Sequence, residues 1–298
     1  MAANMMPGAP VAEAVFADLV PRIDALNAAG YRPGLGTILV GNESASAGYI
    51  RMKMEKAEAL RCNSPHVHLG DDATQADVSA AIREFNEDPG VDAMLLQHPT
   101  PAQIDFDAAL LAIDPSKDVD GLHPENVGRL ALGMPGPVSC TPAGIEALLA
   151  FYEIKISGRD VVILGRGTTL GRPLALLLSQ KRATANAAVT VVHTGVANWF
   201  DYTRRAEVVI AAAGVPGILQ PEHITAGCVV VGGGVRYEGR KLLPDVDETC
   251  EAVAGWITPR IGGVGPTTIA MLFKNFVDAA ERNAAPRIGA EREVKPVL

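Results

Sequence analysis

The sequence is short of aromatic residues, which make up 5% of 298, and it holds only four cysteines. Cys62, Cys140, Cys228 and Cys250 form no Cys-x-x-Cys pair, and their spacings match no zinc site, so no metal centre is expected. They read as buried free thiols of a reducing compartment. No apolar run approaches the ~20 residues that span a bilayer. The opening Met-Ala-Ala-Asn-Met-Met-Pro lacks the basic segment and long apolar stretch of a signal peptide. Basic residues are the minority: 26 Lys and Arg against 34 Asp and Glu, a net charge of 26 − 34 = −8. That balance argues against general binding to nucleic acid or to an anionic membrane. Repeats and low-complexity tracts are absent. These exclusions leave a cytoplasmic globular protein, long enough for about two domains and able to bury about 75% of its extended-chain surface without disulfides.

What is present is alternation. Val15, Phe16, Leu19, Val20, Ile23 and Leu26 recur at helical spacing, and Gly30 and Pro33 end that helix. Strands are expected at 36–40, 66–69 and 91–97, with helices at 46–60 and 77–87 between them. The turn-rich stretch 133–137 reads as an inter-domain hinge. Thr141 is expected to cap a helix that runs to about Glu153, with Pro142 at its first position. A strand at 161–164, a glycine-rich turn, a helix at 172–180 and a strand at 189–192 then form a βαβ unit. Further buried strands are expected at 207–213 and 229–231. Ile269, Leu272, Phe273, Phe276, Val277 and Ala280 stripe a last helix that starts near Pro266, and a disordered tail is expected beyond Asn283. Alternation of this kind makes parallel sheets with crossover helices, an α/β fold.

The turn Gly165-Arg-Gly-Thr-Thr-Leu-Gly171 lies between an apolar strand and a helix, the context a dinucleotide site requires. Glycines let the backbone approach a pyrophosphate, which then rests on the helix N-terminus. The spacing is one residue longer than the usual fingerprint, and a tight βα turn that binds nothing has the same pattern. An NAD site places a carboxylate at the end of the second strand for the ribose 2′-hydroxyl. Here that position reads Val191-Val-His193-Thr194. The missing acid, with Arg166 inside the turn, favours NADP; a solvated loop charge explains Arg166 equally well.

In the first half, Tyr49 and Lys53 share one face of a helix, four residues apart, with Ser46 one turn earlier. Such a pair is common on half-exposed faces. Gln97 ends a strand just before Pro99 and Pro101, and a polar residue at the carboxyl end of a parallel strand is well placed for a site. In Lys117-Asp-Val-Asp-Gly121, Asp118 or Asp120 is expected to close an Asx turn. Gly262-Gly-Val-Gly-Pro266 reads as a loop that lets backbone approach a ligand before a helix starts.

Taken in chain order, these segments resemble the bifunctional methylenetetrahydrofolate dehydrogenase/cyclohydrolases, the FolD-like family. Residues 40–53 resemble its VG…S..Y...K segment, and Leu96-Gln97-His98-Pro99-Thr100-Pro101 its QLPLP. Residues 117–124 match KDVDG(F/L)HP, and Cys140-Thr-Pro-Ala-Gly144 matches PCTP.G without the leading proline. Gly165-Arg166 resembles the GRS turn with Gly167 for serine, and residues 262–268 resemble PGGVGPMT with Ile261 in place of proline.

The resemblance implies a fold of two α/β domains with a cleft between them. Residues 1–137 and 266–298 would form the catalytic, folate-binding domain, and residues 138–265 a doubly wound Rossmann-type NADP domain. It implies NADP-dependent oxidation of 5,10-methylenetetrahydrofolate to the methenyl form and its hydrolysis to 10-formyltetrahydrofolate, in one-carbon metabolism and purine biosynthesis. Lys53 would be the central catalytic residue, tuned by Gln97, with Tyr49 packed on the pterin. Asp120 would hold the amino-pyrimidine edge, with Gly262, Gly263, Val264 and Pro266 closing over the ligand. Gly165, Arg166, Gly167, Gly171, Thr194 and Val235 would bind NADP, Arg166 and Thr194 at the 2′-phosphate. A homodimer is also implied. Gly167 would weaken the preference for NADP, Gly232 and Gly233 in place of the family's Asp-Val would loosen that stretch, and Ile261 would alter its loop. Short-chain dehydrogenases also pair Tyr-x-x-x-Lys with a glycine-rich turn, but there the turn comes first. A non-catalytic NADP- or folate-binding regulator is the other rival, and the retained Tyr49, Lys53, Gln97 and Asp120 argue against it.

Overall fold

The structure, a computed structural model, describes residues 3–238 and 241–293. Its first elements are β1 (Asn4–Met5), α1 (Ala9–Ala28), β2 (Leu35–Val40), α2 (Ser44–Ala59), β3 (His66–Leu69), α3 (Gln75–Glu87) and β4 (Ala93–Leu96). Then come α4 (Phe106–Ala112), α5 (Pro124–Ala131), α6 (Cys140–Phe151), β5 (Asp160–Leu164), α7 (Gly171–Leu178), β6 (Ala188–Val192), α8 (Phe200–Thr203) and β7 (Val208–Ala211). β8 (Val229–Gly232), β9 (Val235–Glu238), β10 (Lys241–Pro244), β11 (Trp256–Ile257) and α9 (Val264–Glu293) complete the order. The chain divides into two compact units: residues up to Ala14 with Val127–Met271, and Val15–Asn126 with the chain from Leu272 on.

The first unit is built on a six-stranded sheet ordered β1-β11-β8-β7-β5-β6, parallel throughout. Its strands are near-continuous Val/Ile runs because both faces are covered. Alternation along β5 shows this: Val161 and Ile163 pack with Ile145, Leu148 and Leu174, whereas Val162 and Leu164 pack with Val209, Val230 and Leu219. The second unit holds a three-stranded parallel sheet, β3-β2-β4. Val78, Ile82 and Phe85 of α3 pack there against Ile38, Met94 and Leu96, and α3 is started by a capping box between Thr74 and Asp77. From Leu272 onward α9 belongs to this unit: Phe273 meets Phe16 at 5.5 Å, and Arg22 bridges Asp278 and Glu281, each at 2.6 Å. All four cysteines are buried and free, and burial pushes the Cys62 and Cys228 thiols up to about 12.

Several expectations differ from the structure. Helix α6 starts at Cys140 with Ser139 at its N-cap, not at Thr141. α9 starts at Val264, and beyond Asn283 it continues as helix through Pro286 to Glu293. Packing explains that extension. Ala284 is buried with Leu26 and Ala280, Asn283 donates to Asp92 at 3.0 Å, and the Arg287 guanidinium lies over Tyr31. The unit boundary falls inside α5 rather than at 133–137, and residues 4–8 go with the nucleotide-type sheet because β1 pairs with β11. The stretch at Gly232 and Gly233 is not loosened: Gly232 ends β8 and donates to Thr258 Oγ1 at 2.8 Å, and Gly233 and Gly234 both donate to the Ala211 carbonyl.

Candidate active site and dinucleotide turn

In the second unit, α2 carries Tyr49 and Lys53 one turn apart, on a helix whose stretch 51–59 consists only of strong helix formers. Gln97 follows β4 directly, so it sits at the carboxyl end of a buried parallel strand. Lys53 Nζ donates to Gln97 Oε1 at 3.1 Å, and Gln97 Nε2 donates to the His98 carbonyl at 2.7 Å. The backbone carbonyl thus takes the amide's donor side and leaves its acceptor oxygen to the lysine. The His98–Pro99 peptide is cis, and the His98 ring meets Phe106 edge-on at 4.9 Å. Tyr49 is 38% exposed. Ser46 stays out of this group: it is buried, and its hydroxyl donates to Glu43 at 2.6 Å.

Residues 117–123 run beside β4, with Asp118 bridged to Met94. Asp118 and Asp120 stand two residues apart, so strand alternation does not separate them; the hydrogen bonds of Asp118 do. Asp118 is buried and accepts from the Gly121 and His123 N–H groups and from Asn126, so it is Asp118 that closes the turn. Lys117, also buried, donates to the carbonyls of Phe85, Asn86 and Asp88, capping the C-terminus of α3. Burial lowers the Lys117 ammonium from its usual range. Asp120 is held between these anchors and the Asn275 side chain, which donates to the Val119 carbonyl at 2.9 Å. Burial raises the Asp120 carboxyl; the Lys53 charge opposes that shift and Asp118 adds to it. Lys53, Gln97 and Asp120 therefore come from three separate segments into one electrostatic group. The anchoring role of Lys117 was not foreseen, because its carbonyl partners lie 29 to 32 residues earlier in the chain.

In the first unit the glycine-rich turn joins β5 to α7. Gly165 has φ +129, and a Cβ there would lie 2.0 Å from the Ala212 carbonyl oxygen. A Cβ on Gly171 would lie 2.3 Å from the Gly165 carbonyl oxygen. Both positions exclude a side chain, so the turn folds back tightly on itself. Arg166 and Gly167 are exposed at its tip, and Thr194 is exposed two residues past β6. This is a cradle suited to a dinucleotide phosphate: close backbone, an arginine at the tip, a helix start at Gly171 and no carboxylate at the end of β6. Val235, 43% exposed, opens β9. Gly262, at φ +76, and Gly263, Val264 and Pro266 stand at the start of α9 in the same unit. Gly262 there accepts from the Gly8 N–H at 2.7 Å, and a Cβ on Gly8 would lie 2.0 Å from the Gly263 oxygen. Ile261, 72% exposed, precedes them.

Two family profiles match the chain: the tetrahydrofolate dehydrogenase/cyclohydrolase catalytic domain over residues 6–120, and the NAD(P)-binding domain of the same enzymes over residues 139–284. The chain belongs to the tetrahydrofolate dehydrogenase/cyclohydrolase family. It is similar to Bifunctional protein FolD 1 of Salinispora tropica, 60% identical over 285 residues, which cover 96% of this chain and 93% of that one. Among solved structures it is similar to the bifunctional FolD methylenetetrahydrofolate dehydrogenase/cyclohydrolase of Campylobacter jejuni, with TM-score 0.89, 38% identity and coverage of 94% and 99%. It is likewise similar to FolD of Trypanosoma brucei, complexed with NADP cofactor and inhibitor, with TM-score 0.86, 35% identity and coverage of 95% and 98%. Family membership accounts for the chain order that separated this sequence from the short-chain dehydrogenases. No helix of the described residues is long and apolar enough to cross a membrane.

Proposed function

We propose that the group of Lys53, Gln97 and Asp120 carries the folate chemistry of a bifunctional enzyme. The chain oxidises 5,10-methylenetetrahydrofolate to 5,10-methenyltetrahydrofolate with NADP and hydrolyses the methenyl form to 10-formyltetrahydrofolate. The observation that carries the site assignment is the 3.1 Å bond from Lys53 to Gln97, with Asp120 coupled to the same lysine.

In the hydrolysis, water adds to the amidinium-like methenyl carbon and must lose a proton as the C–O bond forms. A lysine amine is a poor base at its reference pKa of ~10.4, and burial or a neighbouring cation improves it. Lys53 takes that proton in this reading. Gln97 accepts one of the lysine's N–H bonds and so fixes where its remaining positions point. The proton then passes to the folate nitrogen as the carbon–nitrogen bond breaks and the ring opens. Asp120 is assigned to the amino-pyrimidine edge, where a carboxylate accepts paired N–H donors. Tyr49 is assigned to the pterin face, and Gly262, Gly263, Val264 and Pro266 to the folate as well.

Bound NADP supplies the hydride acceptor for the oxidation. Gly165, Gly167 and Gly171 would admit its phosphates, Arg166 and Thr194 would hold the 2′-phosphate, and Val235 would pack at the site. The finer setting belongs to the same proposal: a cytoplasmic homodimer that feeds purine biosynthesis. The deciding experiment pairs two absorbance assays on the purified protein: NADPH formation from methylenetetrahydrofolate, and loss of the methenyl chromophore without cofactor. Turnover in both is expected, and a folded protein inactive in both overturns the reading.

A further inference from the structure

Asp245 follows β10 and is the most deeply enclosed carboxylate of the first unit, with no exposed surface. Its Oδ2 accepts from the Ala213 N–H at 2.6 Å and the Gly214 N–H at 2.9 Å, and the Val215 N–H adds to the same cradle. Its Oδ1 has no partner among the described residues. Its own backbone is fixed on both sides: its N–H donates to the Gly234 carbonyl and its carbonyl accepts from Leu219, each at 3.0 Å. Room for the carboxylate depends on glycine, because a Cβ on Gly234 would lie 1.9 Å from Oδ2.

The segment that Asp245 grips is the one against which the dinucleotide turn is pressed. Ala212 accepts no side chain at Gly165: the missing Cβ would lie 2.0 Å from the Ala212 oxygen and 2.9 Å from the Ala213 nitrogen. Ala212 also donates to the Leu164 carbonyl at 2.7 Å, immediately before the turn. Three consecutive N–H groups at a strand end would otherwise splay toward whatever acceptor is nearest, and a buried N–H without one is costly.

We infer that Asp245 is a positioning residue for cofactor binding: its carboxylate gathers the N–H groups of Ala213, Gly214 and Val215 and so holds that strand end against Gly165. Burial pushes this carboxyl above its usual range, and the backbone N–H groups oppose that shift. The inference rests on the assignment of the Gly165 turn to NADP.

The test is the dissociation constant of NADP+, measured by calorimetry on full-length variants, beside the rate of methenyltetrahydrofolate hydrolysis, which uses no nicotinamide. Asp245→Ala removes the acceptor and is expected to weaken NADP+ binding roughly tenfold or more. Hydrolysis is expected to stay within about twofold of the parent. Asp245→Asn keeps an acceptor oxygen and is expected to recover most of the affinity. Should the alanine variant fail to fold, Gly234→Ala decides on the same criteria, since it keeps the carboxyl and displaces it. NADP+ affinity unchanged in a folded variant overturns the inference, and so does hydrolysis falling in step with affinity. Arg166→Ala runs alongside: weakened binding there, with Asp245 variants unaffected, defeats only the inference. Unchanged binding in both defeats the assignment of the turn.

Discussion

On the proposed assignment of the sites, the two units solve recognition with different materials. In the second, the working groups are side chains: an amine from α2, an amide from the end of β4 and a carboxylate from the loop beside it. In the first, they are mostly backbone: a turn whose glycines at 165 and 171 leave no room for a methyl group. A side-chain site separates chemistry from folding, because its atoms can be removed while the scaffold stays. A backbone site cannot be edited without moving the chain that forms it.

The largest expected effect tests the first half of that contrast. Lys53→Met keeps most of the stem's apolar volume and deletes the amine. Hydrolysis of methenyltetrahydrofolate should fall by roughly 10²–10⁴-fold, the usual worth of a positioned proton acceptor. Part of the NADP-dependent oxidation should survive, because the methylene carbon loses a hydride rather than a proton. Thermal melting should change little. Hydrolysis at the parental rate in a folded variant would remove Lys53 from the centre of the mechanism.

Gly165→Ala tests the second half. At φ +129, with the Ala212 oxygen 2.0 Å from the new atom, the turn must shift. Stability should drop by about 2 kcal/mol or more, and NADP+ affinity should fall with it. A stable variant with parental affinity, read by denaturant titration and calorimetry, would break the comparison.

The smallest effect sharpens it. Burial raises the Asp120 carboxyl, so the folded protein holds that proton more tightly than the unfolded chain does. The neutral form's contribution is therefore fully present below the free-chain carboxylate pKa of ~3.9 and is lost as the pH rises through the raised value. Asp120→Asn stays neutral throughout. Its melting temperature should exceed the parent's at neutral pH and converge with it near pH ~4. Its KM for the folate should rise roughly tenfold or more from the lost charge-assisted bonds. A melting difference that does not vary with pH would show that Asp120 is not the strained carboxylate of the site.

The βαβ alternation, the buried strands and the glycine turn were legible because they rest on local periodicity and on backbone conformations that few residues accept. Lys53 and Gln97 could be singled out by position and were joined by the family resemblance; the structure adds the bond between them at 3.1 Å. What sequence patterns did not carry was pairing across long separations. Two-residue strands such as β1 and β11 have no period to read, and the helical tail past Asn283 is held by Leu26, Tyr31 and Asp92 rather than by its own composition. Asp118 and Asp120 were interchangeable on paper, and it is the bonds that Asp118 accepts from Gly121, His123 and Asn126 that tell them apart.

The pairing of Asn4 with Trp256 and Met5 with Ile257 also sets a timetable. Strand β1 finds its partner only after the chain through Trp256 and Ile257 has been made, so the contact is a highly non-local one. Until then the edge of β8 stands open to wrong partners. The second unit waits as well, because residues 15–126 are completed by α9 from Leu272 onward. Neither unit can finish from an amino-terminal fragment, and a ribosome stalled before α9 holds two unfinished cores rather than one finished domain.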